Sequence, residues 1–277
     1  MNKRSFIVLC MLLSCFCIYA VAQTVDEVIN KNIQAVGGLE KIKAAKTIKI
    51  TGKSMMQSLE IPVTMWIKKP DKIRTEVTIQ GKTITQAYDG TVAWGIMPMM
   101  GTTEPELIPE EERKQLKDQA DIEGPLVDYK AKGHSVELIG KEDMEGTDVF
   151  KIKVTKKNGD IVYFFIDSKN YLTLKESAKI KHNENEIEVE TYLSNYKDVN
   201  GMMVPHSMET KANGQALSQF TLDTFEINAK FDDTIFKMPP KQTPEKKEAA
   251  PEKKEPVKVE KKDTDKSEKK EPESPRK

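Results

Sequence analysis

Trp66-Ile67-Lys68-Lys69-Pro70, followed further on by Asp89-Gly90-Thr91-Val92-Ala93-Trp94, decides how this chain is read. The first stretch closes a run in which Ile61, Val63, Met65 and Ile67 take every second position. Apolar residues at a period of two describe a strand with one dry and one wet face. Pro70 has no amide hydrogen to give a ladder, so the strand stops there. Asp89-Gly90 tolerates the positive φ of a tight hairpin, and Trp94 belongs to the strand that follows.

The same period extends to either side, through Ile48 and Ile50 and through Val77 and Ile79. Turn pairs punctuate the chain at Gln80-Gly81, Glu145-Gly146, Asn158-Gly159, Asn200-Gly201 and Asn213-Gly214, as in an antiparallel meander. Later strands are expected near 135–139, 149–155, 161–166, 171–180, 186–196, 203–211 and 215–227. Ahead of them, Thr24-Val25-Asp26-Glu27 forms a capping box, and Val25, Val28, Ile29, Ile33 and Val36 recur at helical spacing up to Gly37-Gly38. A second short helix is expected over about Leu39 to Ala45. The long break from Glu104 to Gly124 predicts a helix across the sheet, with Pro109 near its first turn. Asp232 to Phe236 predicts one helical turn against the sheet edge. The fold class is therefore mainly β (α+β): an unclosed antiparallel half-barrel of about ten to eleven strands, capped by short helices. No phosphate loop or dinucleotide fingerprint interrupts the series.

The two ends of the chain have other compositions. Lys3 and Arg4, the apolar run from Phe6 to Ala20 and Ala20-Val21-Ala22 predict a secretory signal peptide over 1–22. All three cysteines, Cys10, Cys15 and Cys17, lie inside it, so a mature chain starting at Gln23 has no thiol for a disulfide, a metal or a nucleophile. From 241 to 277 there are 13 basic and 10 acidic residues and no aromatic, a composition that predicts disorder. Between these ends, 23–240 is long enough for one domain with a sizeable core. The net charge of zero conceals a mildly acidic domain and a mixed-charge tail with no basic stripe, which argues against nucleic acid.

The strand ending in Trp, one residue, two basic residues and Pro, followed by Asp-Gly and a Trp four residues after the Gly, resembles the LolA/LolB lipoprotein-sorting and carrier family. The match is specific from about Ile61 to Pro98 and rests elsewhere on strand count and the terminal helical turn. The resemblance implies a helix-capped half-barrel that holds acyl chains of lipoproteins or lipids without a reaction or a cofactor. It also implies a periplasmic location, with a membrane transporter and an outer-membrane receptor as possible partners. In that family the basic residue before the proline, often arginine, is linked to the closed lid and to ligand release. Lys69 stands there, and lysine lacks the planar fork of arginine.

Candidate ligand-binding residues are Met65, Trp66, Trp94, Met97, Met99 and Met100, since flexible, polarizable methionines beside aromatics suit a wall that adapts to chains of different length. Lys69 and Arg74 are the candidates for gating, for an anionic headgroup or, for Arg74, for a helix-end carbonyl. No catalytic or metal site is expected: His134, His182 and His206 are scattered, no serine sits in a Gly-x-Ser-x-Gly setting, and Glu184, Glu186, Glu188 and Glu190 share one face as a solvated row. The alternative to carriage is an envelope sensor or protein-interaction module on the same half-barrel.

Overall fold

The computed structural model describes residues 23–240 apart from 57, 183 and 184, so the expected signal peptide over 1–22 and the charged tail over 241–277 lie outside the described residues. Helix α1 (Val25–Val36) starts at the expected capping box: Glu27 N donates to Thr24 Oγ1 at 3.2 Å, and Thr24 N donates to Glu27 Oε2 at 3.0 Å. It ends at Gly37, whose φ of 135° and 2.6 Å approach of a would-be Cβ to Gly201 O both require glycine. The short α2 (Leu39–Ala44) follows and buries Ile42.

Thereafter the chain is strand upon strand: β1 (Thr47–Met56), β2 (Leu59–Lys68), β3 (Lys72–Ile79), β4 (Lys82–Tyr88), β5 (Ala93–Met97) and β6 (Thr102–Leu107) on one side. On the other come β7 (Ser135–Met144), β8 (Thr147–Thr155), β9 (Ile161–Asp167), β10 (Thr173–His182), β11 (Asn185–Val199), β12 (Met202–Ala212) and β13 (Gln215–Ile227). All belong to one antiparallel sheet of 13 strands in the order β6-β5-β4-β3-β2-β1-β13-β12-β11-β10-β9-β8-β7. The sheet does not close, since β6 and β7 are its two edges. The count exceeds the expected ten to eleven. One added strand, β6, falls where the sequence predicts only a helical break; it carries Pro105, which an edge strand tolerates because no ladder needs its missing amide hydrogen on the outer side.

The meander therefore starts at the centre, runs out to the β6 edge, crosses to the opposite edge and returns to pair β13 with β1. The crossing segment, 108–134, carries α3 (Glu110–Gln119). It spans two apolar cores on the same sheet face. One core gathers Val28, Ile29, Ile33 and Ile42 of the helices with Phe150, Ile152, Phe164 and Ile166 of β8 and β9, and takes Leu126 and Val127 from the crossing segment. The other gathers Ile67, Ile73, Tyr88 and Ala93, and takes Ile108, Leu116 and Ala120. The sequence of α3, EEERKQLKDQ, buries only Leu116. One buried leucine stabilises by about 1.5–3 kcal/mol, a light anchor for a helix of ten residues.

Candidate functional site

Residues opposite one another in a ladder share a face, so the register shows which side chains line the helix-bearing, concave side. Ile50 pairs with Met65 and, on its other flank, with Phe225. Gly52 pairs with Val63, Val63 with Val77, and Val77 with Ile84. Ser54 pairs with Phe220, Phe220 with Met208, and Met208 with Leu193. A Cβ at Gly52 would meet the Phe220 ring at 2.4 Å, so the glycine is what lets that ring lie across β1.

Apart from Ser54, these residues form an apolar strip running from β4 to β11. Toward the helices the same face is fully buried, at Ile48, Ile67 and Ile73. Along the strip Ile50, Val63, Met65, Val77, Ile84, Met208, Phe220 and Phe225 are only half-buried. At the hairpin tips Met56 and Leu59 are 50% and 41% exposed. The helices and the crossing segment thus cover one end of the concave face; toward the other, Ile61 and Leu222 are buried among their sheet neighbours while the rest of the strip stays partly open as a shallow apolar trough.

The structure separates the candidate residues that the sequence grouped. Met65 faces the trough, and Met97 shares the parity of Ala93 on the concave side. Met99 and Met100 sit in a 3-10 turn (Pro98–Met100) at the same end, exposed by 47% and 80%. Trp66, Arg74 and Trp94 lie on the opposite, convex face, linked through the pairs Trp66 with Arg74, Arg74 with Ala87 and Ala87 with Trp94. Neighbours along a strand point to opposite faces, so Met65 and Trp66 cannot line one cavity wall.

On the convex face the tryptophans meet the end of the domain. Trp94, 1% exposed, donates from Nε1 to Phe236 O at 2.8 Å, within the 3-10 turn Asp233–Phe236. Arg74 donates from Nη1 to Ile235 O at 2.7 Å, the helix-end carbonyl role, while its Nε and Nη2 donate to Glu76 Oε1 and its guanidinium lies 5.5 Å from the Trp94 ring centre. Lys68 and Lys72 both bind Asp233. Trp66, Arg74, Glu76, Phe231 and Ile235 border a cavity of about 320 Å³ between sheet and turn. The row of glutamates also lies on this face. Glu186 and Glu188 are exposed, Glu190 is paired with Lys175 at 2.9 Å and half-buried, and Glu184 lies outside the described residues. Glu190 thus departs from the solvated row because the Lys175 ammonium, 4.1 Å from the Phe165 ring centre, needs a counter-charge.

Lys69 is on the covered side, at the end of the strand where it meets α2. Its Nζ donates to the Ile42 and Lys43 carbonyls at 3.3 and 3.2 Å and to Glu123 Oε1 at 2.7 Å. Lys43 reaches the other Glu123 oxygen at 2.6 Å. Burial pushes the Glu123 carboxyl up, but the hydrogen bonds from Lys43 and Lys69 outweigh it and hold the group below the usual carboxylate range. Lys69 and Glu123 therefore latch the crossing segment to α2. Glu123 was not foreseen, because nothing in a loop of turns distinguishes one acidic residue from its neighbours.

Beside this latch lies a partly open cavity of about 140 Å³, lined by Asn32, Ile33 and Val36 of α1, Ile42 of α2, 123–127 of the crossing segment, and Phe164, Thr173 and Glu176 of the sheet. Glu176 is a second residue the sequence reading missed. It shares the parity of Ala178 and Ile180, so a carboxylate in an inward-facing register was the available signal. Among the described residues no group of three or more His, Cys, Asp or Glu could hold a metal ion.

No protein-family model and no curated protein matches the sequence. Solved structures do. A LolA superfamily protein from Nitrosomonas europaea superposes with a TM-score of 0.53 at 12% identity, over 78% of this chain and 98% of that one. A DUF1329 family protein from Desulfovibrio piger gives 0.54 at 10% identity over 78% and 98%, and a putative outer membrane lipoprotein-sorting protein domain from Vibrio parahaemolyticus gives 0.50 at 12% over 75% and 97%. At these identities the likeness is one of fold: the chain has a LolA-like fold.

Proposed function

We propose that this protein, once exported, carries the acyl chains of lipoproteins or lipids in the trough on its concave face, without a reaction, and delivers them toward an outer membrane. The observation that carries this reading is the half-buried strip from Ile84 through Val63, Ile50 and Phe220 to Leu193, apolar across adjacent strands where the helices stop covering the sheet. Folded domains seldom leave a contiguous apolar surface of this kind without something to cover it. An extended acyl chain can lie along such a strip, and Met65, Met97 and Met208 can rearrange around chains of different length. The latch of Lys69 on Glu123 supports a role in holding the cover over one end of the trough.

The test is native mass spectrometry of the full chain purified from its export compartment without detergent, followed by lipid extraction. Stoichiometric acylated species that are lost in Met65→Lys support the trough as their site. A folded chain that is clean of lipid and also ignores added lipopeptide refutes carriage and favours a protein-interaction module on the same fold.

A further inference from the structure

Glu176 stands in the covered part of the concave face and faces the cavity beneath α1. It is half-buried there, and the open part of its side chain gives onto that cavity. The side-chain donors of Asn32 and Tyr196 are spent on other partners. The Asn32 amide donates to Tyr171 O at 2.7 Å and to Thr173 Oγ1 at 3.3 Å, and the Tyr196 hydroxyl donates to Thr173 O at 2.6 Å. The cavity's other carboxylate, Glu123, is paired with Lys69 and with Lys43, which it shares with Asp128. Among the described residues nothing donates to the Glu176 oxygens, and the one cation that acts on it, Lys156, does so only through space.

Burial pushes the Glu176 carboxyl up, and burial together with the nearby Glu176 charge pushes the Tyr196 hydroxyl well up. A buried carboxylate without a partner is unfavourable, whereas one that meets a cation carrying N–H donors is compensated. The walls around it, Ile33, Val36, Ile42 and Phe164, are apolar. The site is therefore complementary to a primary ammonium attached to a hydrocarbon chain.

Resting on the acyl-carrier reading, we infer that Glu176 is a recognition point for amphiphiles bearing a primary ammonium group, whose nitrogen donates to the Glu176 carboxylate while the attached chain lies against the apolar wall. Such an ammonium has two sources, an aminolipid headgroup or a free cationic amphiphile. A quaternary ammonium, which has no N–H, fits less well.

The experiment is calorimetric titration of the full chain, and of its Glu176→Gln variant, with decylamine and decanol below their aggregation concentrations. The wild type is expected to bind the amine about tenfold or more tightly than the alcohol, and the variant to lose that preference while keeping its affinity for the alcohol. A parallel pair, short-chain phosphatidylethanolamine against phosphatidylcholine, identifies the source: preference for the former points to an aminolipid, and preference confined to decylamine points to a free amine. Equal affinity for amine and alcohol in the wild type, or a preference that survives in Glu176→Gln, overturns the inference and leaves acyl carriage standing. A folded wild type that binds none of the four overturns both.

Discussion

Replacing Lys69 by Met removes the three contacts that tie the crossing segment to α2 while keeping most of the side chain's volume. Lys69 and Glu123 are 19% and 13% exposed, so solvent screens their 2.7 Å pair less than it screens a surface pair. Glu123 is not orphaned, because Lys43 stays at 2.6 Å. The loss should therefore fall below that of a fully stranded buried charge and near that of hydrogen bonds to a charged group, about 1.5–3 kcal/mol. For a domain of this size that is a Tm lower by about 3–12 °C. The assay is a double-mutant cycle of Lys69→Met and Glu123→Gln followed by chemical denaturation, with amide exchange over 120–134. A coupling near 1 kcal/mol and faster exchange in that stretch are expected for residues in contact. Lys69→Arg should keep most of the stability, since its fork can reach the same carbonyls and carboxylate. Changes that add within about 0.5 kcal/mol, together with unaltered exchange, would refute the latch.

Four further outcomes follow from the geometry. Met65→Lys should abolish uptake of an apolar fluorophore, whereas Trp66→Phe on the convex face should leave it within about twofold; equal losses in both would sink the assignment of faces. Phe236→Ala empties a site that is 0% exposed and should cost about 3–5 kcal/mol in denaturation, with a change in Trp94 emission as the turn loosens; a loss under 1 kcal/mol would contradict the docked turn. Hydrogen bonds from Lys68 and Lys72 hold Asp233 down at about 2 against an ordinary 3.8, so its contribution is present above about pH 4 and lost as pH falls toward 2. Asp233→Asn should flatten the acid limb of the stability profile, and an unchanged limb speaks against the pair. For Glu176 the sign is opposite: its raised folded value makes the native state bind the proton more tightly, so stability is fullest below about 4.5 and falls as pH rises. Glu176→Gln should be more stable than wild type at pH 7.5 by about 1–3 kcal/mol and equal to it near pH 4, and a wild type that is the more stable at pH 7.5 would contradict the unpartnered carboxylate.

Strand identity was legible because alternation is a local property: Ile61, Val63, Met65 and Ile67 announce one face without help from the rest of the chain. The capping box at Thr24 and Glu27 was legible for the same reason. The grouping of Met65 with Trp66 came from chemical likeness, and the pleat separates them, although the same alternation that revealed β2 already required it. What could not be read locally was contact across distance. That Trp94 meets Phe236, Lys69 meets Glu123, and Asn32 spends its amide on Thr173 depends on partners 142, 54 and 141 residues away.

The order of the strands explains why a cover exists at all. Because the meander begins at the centre of the sheet and reaches the β6 edge first, the chain can start β7 only by travelling to the opposite edge, and the path it takes crosses the concave face. A segment bound to cross there must satisfy its own polar groups, which 108–134 does with a charged helix and a series of turns. It touches the cores through a few apolar residues, Ile108, Leu116 and Ala120 on one side and Leu126 and Val127 on the other, with the Lys69–Glu123 latch between them. Removing Leu116 should therefore detach α3 without unfolding the sheet. Leu116→Ala is expected to cost about 2–4 kcal/mol and to raise amide exchange over 110–119, while β8, β9 and the α1 interface keep their protection. Faster fluorophore exchange in that variant would mark α3 as the part of the cover that opens, whereas global loss of protection would show that the crossing segment and the sheet unfold as one unit.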